Sequence, residues 1–398
     1  MALNFTRIES HVGTVNRNLP AEAEPTAGRQ EPVVILLHGL GGDRNDWMDP
    51  FQDRNWPYDH ERDPEKRDLG AHSKPPFLKL PGIETRYFLS PRLASNSRGA
   101  DGSDDRSWWH ALVQAGFPVL TYSQVPALMM PLSRGPVAQF KRFMEALQQD
   151  VLRDPALSSR RVVIVGHSRG GLIGRAYLGD AEVKADSIGR FPRVSGLLTL
   201  SSPHQGSHMA LLDDKIIGFL SKIEKVVPKL PNDVGREVIN TLKKRIDDYV
   251  GPQGDEIEPG SPLFHALEAQ EPIGPGVRCL SVGGTSPRLF RVYLWTFTAG
   301  SMVPRRSPKG KLEFRWWAKP LEAKATSPFP DGLPLKLLGI DLEEILPGHG
   351  DGLTANKHCQ FPPSFRAEEH LSFPLSHAEE LWDSKLQQAI VQRLSTFQ

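Results

Sequence analysis

Residues 161–171 read RVVIVGHSRGG. The first half is a short, continuous apolar run, rich in β-branched residues, as in a strand covered on both faces. The second half sets Ser168 between Gly166 and Gly170, and a helical pattern, GGLIGRAYLGD, follows at once. A serine between two glycines at a strand end is either an ordinary glycine turn or a turn built to present a hydroxyl. The surrounding chain decides between them.

Four more runs have the same character: VVILLHG (33–39), FPVLTYS (117–123), SGLLTLSS (195–202) and VRCLSVGG (277–284). Helical patterns lie between them, in SWWHALVQAG (107–116) and GPVAQFKRFMEALQQDVLRD (135–154). Alternating strands and helices predict an α/β chain, with an open, mostly parallel central sheet flanked by helices. The whole chain, 1–398, reads as one domain with three insertions. Residues 43–106 are polar, charged and proline-dotted, too long for an ordinary connection. Residues 207–250 read as two amphipathic helices forming a lid or cap: Ile216, Leu220, Ile223 and Val227 line one, and Val234, Val238, Leu242 and Ile246 the other. Residues 291–318 read as a hairpin of VYLWTF and KLEFRWW, turning at SPKG.

Composition narrows the function. Lys and Arg number 48 against 47 Asp and Glu, a net charge of +1, so no global field favours nucleic acid. The start, MALNFTRIESHVGTVNRNLP, lacks a signal-peptide core. No run reaches the roughly 18 apolar residues of a membrane span. A soluble chain is expected, and its compartment and oligomeric state stay open.

Strand, G-x-S-x-G and helix together form a nucleophile elbow. Side chains at the flanking positions would meet neighbouring backbone, which explains Gly166 and Gly170, and the helix N-terminus faces the place where an oxyanion forms. The first core strand ends in HGLGG (38–42). In elbow-type enzymes that loop and the residue after the nucleophile supply the oxyanion hole, which assigns the backbone N–H groups of Leu40 and Arg169.

HGLGG, GHSRGG and SSPHQGS (201–207) stand in the order and approximate spacing of bacterial true lipases and GPI inositol-deacylase-like relatives, and the chain resembles them over about half its length. The resemblance implies the α/β-hydrolase fold and a carboxylic ester hydrolase, a lipase or esterase, with a Ser–His–Asp triad and no cofactor. Its partner is then an ester or lipid substrate, met in solution or at a lipid interface. Arg169 departs from the Gln that many true lipases carry after the serine and places a cation at the site. An acyltransferase, an amidase and a phospholipid or polyester hydrolase would use the same triad. A non-catalytic binding protein would not need it.

The acid and base follow in chain order after the serine. Asp351, in GHGDGLT (348–354), is the expected acid, as in the NDGLV-type sequence of the lipases; Asp341 is the alternative. Among 13 histidines, His377 is the expected base because it precedes AEELWDSKLQQAIVQRLSTF, a C-terminal helical stretch; His370 is the alternative. His38 is expected to brace the oxyanion loop, and His204 to shape the site beneath the lid. Calcium-binding lipases suggest Asp331 and Glu379 as ligands, but two carboxylates fall short of the six to eight oxygens calcium takes, so no metal is expected. Cys279 and Cys359 are the only cysteines. Some true lipases have a bridge in a similar place; a reducing compartment would instead keep both thiols free. Both readings are open from the sequence.

Overall fold

The computed structural model describes residues 3–19, 31–40, 42–50, 106–124, 132, 135–208, 255–270, 273, 276–287, 292–297, 301–306, 312–317, 320–326, 342–363, 365 and 367–397. Most of the 43–106 insertion and residues 209–250 of the expected lid lie outside them, as do Asp331 and Asp341.

The chain begins with α1 (Thr6–Val12) and β1 (Val15–Asn18), followed by β2 (Val33–Leu37), α2 (Trp108–Gln114) and β3 (Val119–Tyr122). Then come α3 (Pro136–Asp150), β4 (Val162–His167), α4 (Arg169–Gly179), the short α5 (Ala181–Lys184) and β5 (Val194–Leu200). α6 (Pro262–Glu268) and β6 (Arg278–Gly284) complete the middle of the chain. Seven strands form one sheet in the order β1-β3-β2-β4-β5-β6-β11, where β11 is Ala367–Phe373. Only β1 runs antiparallel to its neighbour. The mostly parallel sheet expected from the sequence is therefore present.

The apolar runs are continuous because each strand serves two cores. Val33, Ile35 and Leu37 face one, with Phe140, Phe143, Leu172 and Tyr177 of α3 and α4. Val34 and Leu36 face the other, with Trp108 and Leu112 of α2 and with Leu386, Ile390 and Leu394. The last three belong to α7 (Ser384–Leu394), which is shorter than the C-terminal stretch suggested. Asp383 caps it by accepting from Leu386 N–H (2.8 Å), and Glu379–Leu381 form a separate 3-10 turn.

Two strands of the seven-stranded sheet were not legible in advance. β1 and β11 are the sheet's edges, so neither is enclosed by strands on both sides, and VNRN and AEEHLSF lack the apolar run of a central strand. The expected hairpin is also corrected. β7 (Val292–Phe297) pairs antiparallel with β10 (Pro320–Thr326), and β8 (Ser301–Arg306) with β9 (Leu312–Trp317). SMVPRR escaped notice because Pro304 lacks the N–H of an ordinary strand residue. A two-stranded ladder consists of edges and tolerates it. SPKG does lie between two paired strands, but they are β8 and β9.

Cys279 and Cys359 are both buried, and no disulfide joins them. Among the described residues, no helix is long and apolar enough to cross a membrane.

Candidate active site

The loops that carry Leu40, Ser168 and His377 leave the carboxyl ends of the parallel strands β2, β4 and β11, and Asp351, in the long connection between β6 and β11, returns to the end of β6, where a Cβ on Gly284 would lie 2.7 Å from its own. Open α/β sheets place ligands along this edge.

Ser168 stands between the last residue of β4 and the first of α4 with φ 53° and ψ −124°. A non-glycine residue there carries strain of about 1–3 kcal/mol, held by its surroundings. Its N–H donates to Leu200 O of β5 at 2.8 Å. The glycines are explained by contact. A Cβ on Gly166 would lie 2.4 Å from Gly171 N, and one on Gly170 would lie 2.3 Å from Leu37 O. The turn is thus wedged against β2 and α4 by backbone on both sides.

The loop after β2 is also close, though less tightly packed. A Cβ on Gly39 would lie 3.1 Å from Ser168 Cβ. His38 braces this loop: its Nε2 accepts from Gln124 N–H at 2.9 Å, so Nδ1 carries the proton and donates to Gly39 O at 2.8 Å. Leu40 follows directly, which keeps its backbone within the same loop. The Arg169 side chain is 4% exposed, so the cation lies inside the protein rather than standing at an open mouth. Burial lowers its pKa to about 10 while Glu256 pulls the other way, and it stays charged at neutral pH.

Asp351 and His377 meet directly. His377 Nδ1 donates to Asp351 Oδ2 at 2.7 Å, and His377 N–H donates to Asp351 O at 3.1 Å. The other carboxylate oxygen accepts from Leu353 N–H (2.8 Å) and Thr354 N–H (2.6 Å). Burial alone would raise the Asp351 pKa. The charge of His377 and its hydrogen bond, with that from Thr354 N–H, outweigh it and hold the carboxyl below its ordinary value. The carboxylate is therefore ionised and fixes the proton on Nδ1, leaving His377 Nε2 unprotonated. That atom is buried and has no hydrogen-bond partner among the described residues.

The alternative histidine is placed differently. His370 sits on β11 with Nδ1 at 2.9 Å from Ser281 Oγ and Nε2 at 2.7 Å from Asn356 Oδ1. Both ring nitrogens are occupied, and they join β11 to β6 and to the 3-10 turn Asn356–Cys359. His204 is packed inside: it stacks on Phe361 at 4.0 Å and its Nε2 lies 2.9 Å from Thr199 Oγ1. Glu379 accepts from Ser376 N–H at 3.0 Å.

Three participants escaped the sequence reading. His167 Nε2 donates to His377 O at 2.9 Å and ties the His377 loop to the residue before Ser168. Burial drives its pKa down to about 3, with a further push from His377, so it is neutral. Its place in GHSRGG was visible, but nothing local announces a partner 210 residues away. Ser201, at φ 41°, donates to Glu380 Oε1 at 2.5 Å and accepts from Gly284 N–H at 3.3 Å. Glu380 is fully buried; burial, reinforced by the charge of Asp351, lifts its carboxyl well above the ordinary range. Its pairing with Ser201 could not be read from an acidic pair at the start of an exposed-looking helix.

No curated protein matches the chain in sequence. Among solved structures, the lipase BlEst2 of Bacillus licheniformis in its mature form shares 14% identity, over 96% of this chain and 98% of that one, with a TM-score of 0.43. The hydrolase olei00960 of Oleispira antarctica shares 12%, over 98% and 96%, with a TM-score of 0.37. Esterase B of Lactobacillus rhamnosis shares 14%, over 69% and 61%, with a TM-score of 0.29. The family model described as a PGAP1-like alpha/beta domain matches residues 137–250, the part that carries β4, the elbow and β5, and the fold of the chain is that of an α/β hydrolase.

Proposed function

We propose that this protein is a serine hydrolase of carboxylic esters, of the lipase or esterase kind. The observation that carries the reading is the Asp351–His377 pair, closed at 2.7 Å and bound through His167 to a strained Ser168 elbow. A serine hydroxyl is a weak nucleophile near neutral pH and needs a base oriented by a third group. His377 Nε2 takes the Ser168 proton as Oγ attacks the ester carbonyl. Asp351 holds the imidazole and stabilises the imidazolium. The N–H groups of Leu40 and Arg169 receive the oxyanion at the α4 N-terminus. His377 then gives the proton to the leaving alcohol, and an acyl-enzyme remains. Water enters, His377 removes its proton, the acyl carbon is attacked, and the acid departs as Ser168 recovers its proton.

The test is hydrolysis of a nitrophenyl-ester series of rising acyl length, with labelling by a fluorophosphonate probe. Ser168→Ala should lose both the label and several orders of magnitude in rate while melting like the wild type. Wild-type rates in pure Ser168→Ala protein would end the proposal.

A further inference from the structure

Behind the acid loop lies a second cluster of polar side chains that the ester chemistry does not use. Three segments supply it: His208 after β5, Glu344 in the 3-10 turn Glu343–Ile345, and His358 in the 3-10 turn Asn356–Cys359. One ligand atom from each lies within 4.8 Å of the other two. His208 Nδ1 is 3.1 Å from Glu344 Oε1, and His358 Nδ1 is 4.0 Å from the same oxygen.

The Glu344 side chain is only 1% exposed. Its Oε1 accepts from His208 N–H at 2.8 Å, but its Oε2 is buried without a hydrogen-bond partner. His358 Nδ1 is likewise buried and without one. An unmade hydrogen bond on a buried polar atom typically costs about 1–3 kcal/mol, and two such atoms belong to this one cluster. The neighbouring Lys357 does not answer them, since its Nζ reaches Glu343 at 2.7 Å.

We propose that His208, Glu344 and His358 form a binding site for a divalent transition-metal ion of the zinc type. Two imidazole nitrogens and one carboxylate oxygen are a set that such ions take with a fourth position left to water. The set is poor in oxygen, which disfavours calcium and magnesium. Tetrahedral bonds of about 2.0–2.1 Å put ligand atoms roughly 3.3 Å apart. One of the two distances to Glu344 Oε1 is already there, and the other closes with a small turn of the His358 ring.

The ion would clamp the loop that carries Asp351. Glu344 O accepts from Gly352 N–H at 2.8 Å, next to that aspartate. Gln205 N–H donates to His358 O at 3.2 Å, and Ser207 Oγ to Leu353 O at 2.5 Å, so the loop after β5 already meets the acid loop here. A metal would add a covalent-strength link between the same two segments.

The experiment titrates chelator-treated full-length protein with Zn2+ by calorimetry and with Co2+ by visible absorption. The expected result is one ion per chain, intense four-coordinate Co2+ bands, no displacement by excess Ca2+ or Mg2+, and a melting temperature raised by several degrees. His358→Gln and Glu344→Gln should weaken binding by at least about tenfold and remove the thermal shift. His208→Gln should do the same, and with a side chain 40% exposed it disturbs the core least should a buried variant fail to fold. Ser168→Ala should bind the ion like the wild type, which separates this proposal from the ester chemistry. Absence of saturable Co2+ bands in wild-type protein, or equal binding by His208→Gln, would overturn it.

Discussion

At the elbow, backbone presses on backbone: Gly166 and Gly170 leave no room for a single carbon, and Ser168 is held at φ 53° by the strands and helix around it. At the acid loop the grip is polar. Asp351 is held by His377 and by the N–H groups of Leu353 and Thr354, with Glu344 and Glu380 buried nearby. Gly348 in that loop has φ +83° yet open space around its missing Cβ. One region fixes its functional group by excluding atoms and the other by satisfying them. The two should therefore fail differently when altered.

The largest expected effect is chemical. In Asp351→Asn the amide oxygen can still accept from Leu353 and Thr354 N–H, so the loop should stay folded. The amide nitrogen, however, would face His377 Nδ1 with its own hydrogens. That forces the imidazole proton to Nε2, where it can no longer accept from Ser168. Loss of the correct tautomer costs about 10⁴ in kcat in such triads. Ester hydrolysis within tenfold of the wild type would show that Asp351 does not orient the base.

The steric region should respond in stability. In Gly170→Ala the added carbon would meet Leu37 O at 2.3 Å, and backbone cannot step aside as a side chain can. A cost of about 3 kcal/mol or more is expected. Gly348→Ala meets nothing and should cost only the left-handed conformation, about 1–2 kcal/mol. Urea midpoints of the two variants compare them directly. An equal loss in both would erase the distinction between the regions.

The same contrast explains what could be read in advance. Steric necessity leaves glycines at fixed spacing, so Gly166, Ser168 and Gly170 announced both the turn and the parallel sheet behind it. Chain order and their places beside glycines and before the last helix singled out Asp351 and His377, which the fold brings to 2.7 Å of each other. Polar satisfaction leaves no such mark. Ser201 meets Glu380 across 179 positions and His208 meets Glu344 across 136, and neither pairing has a local signal. The edge strands failed for a related reason: β11 has one sheet neighbour, so its sequence never acquired the apolar run of β4.

Acid should expose the buried neutral histidine that joins the two regions. In the unfolded chain His167 takes a proton near its ordinary 6.5, while in the native protein it does so only near 3. Below 6.5 the unfolded state thus binds more protons, so stability is whole above that value and drains away as the pH falls. His167→Gln keeps a donor for His377 O but cannot titrate. Between pH 6.5 and about 4 the wild type should lose about 3 kcal/mol more than this variant. Parallel pH profiles for the two would mean that His167 is not buried as a neutral ring.

Glu380 should give the smallest change, with the opposite sign. Its carboxyl holds a proton in the native protein well above the ordinary value of 4.5, because burial and the charge of Asp351 both oppose ionisation. The unfolded chain releases that proton as the pH passes 4.5. Stability from this group is therefore intact below 4.5 and falls as the pH rises toward the native value. Glu380→Gln removes the titration while its amide oxygen can still accept from Ser201 Oγ. The variant and the wild type should be close in stability below pH 4.5. The variant should pull ahead by about 1 kcal/mol one unit higher, where each pH unit is worth about 1.4 kcal/mol. Denaturant melts at three pH values suffice to see the crossing. A constant difference across them would show that Glu380 is ionised beside Asp351, and that the acid loop carries two charges where the geometry supports one.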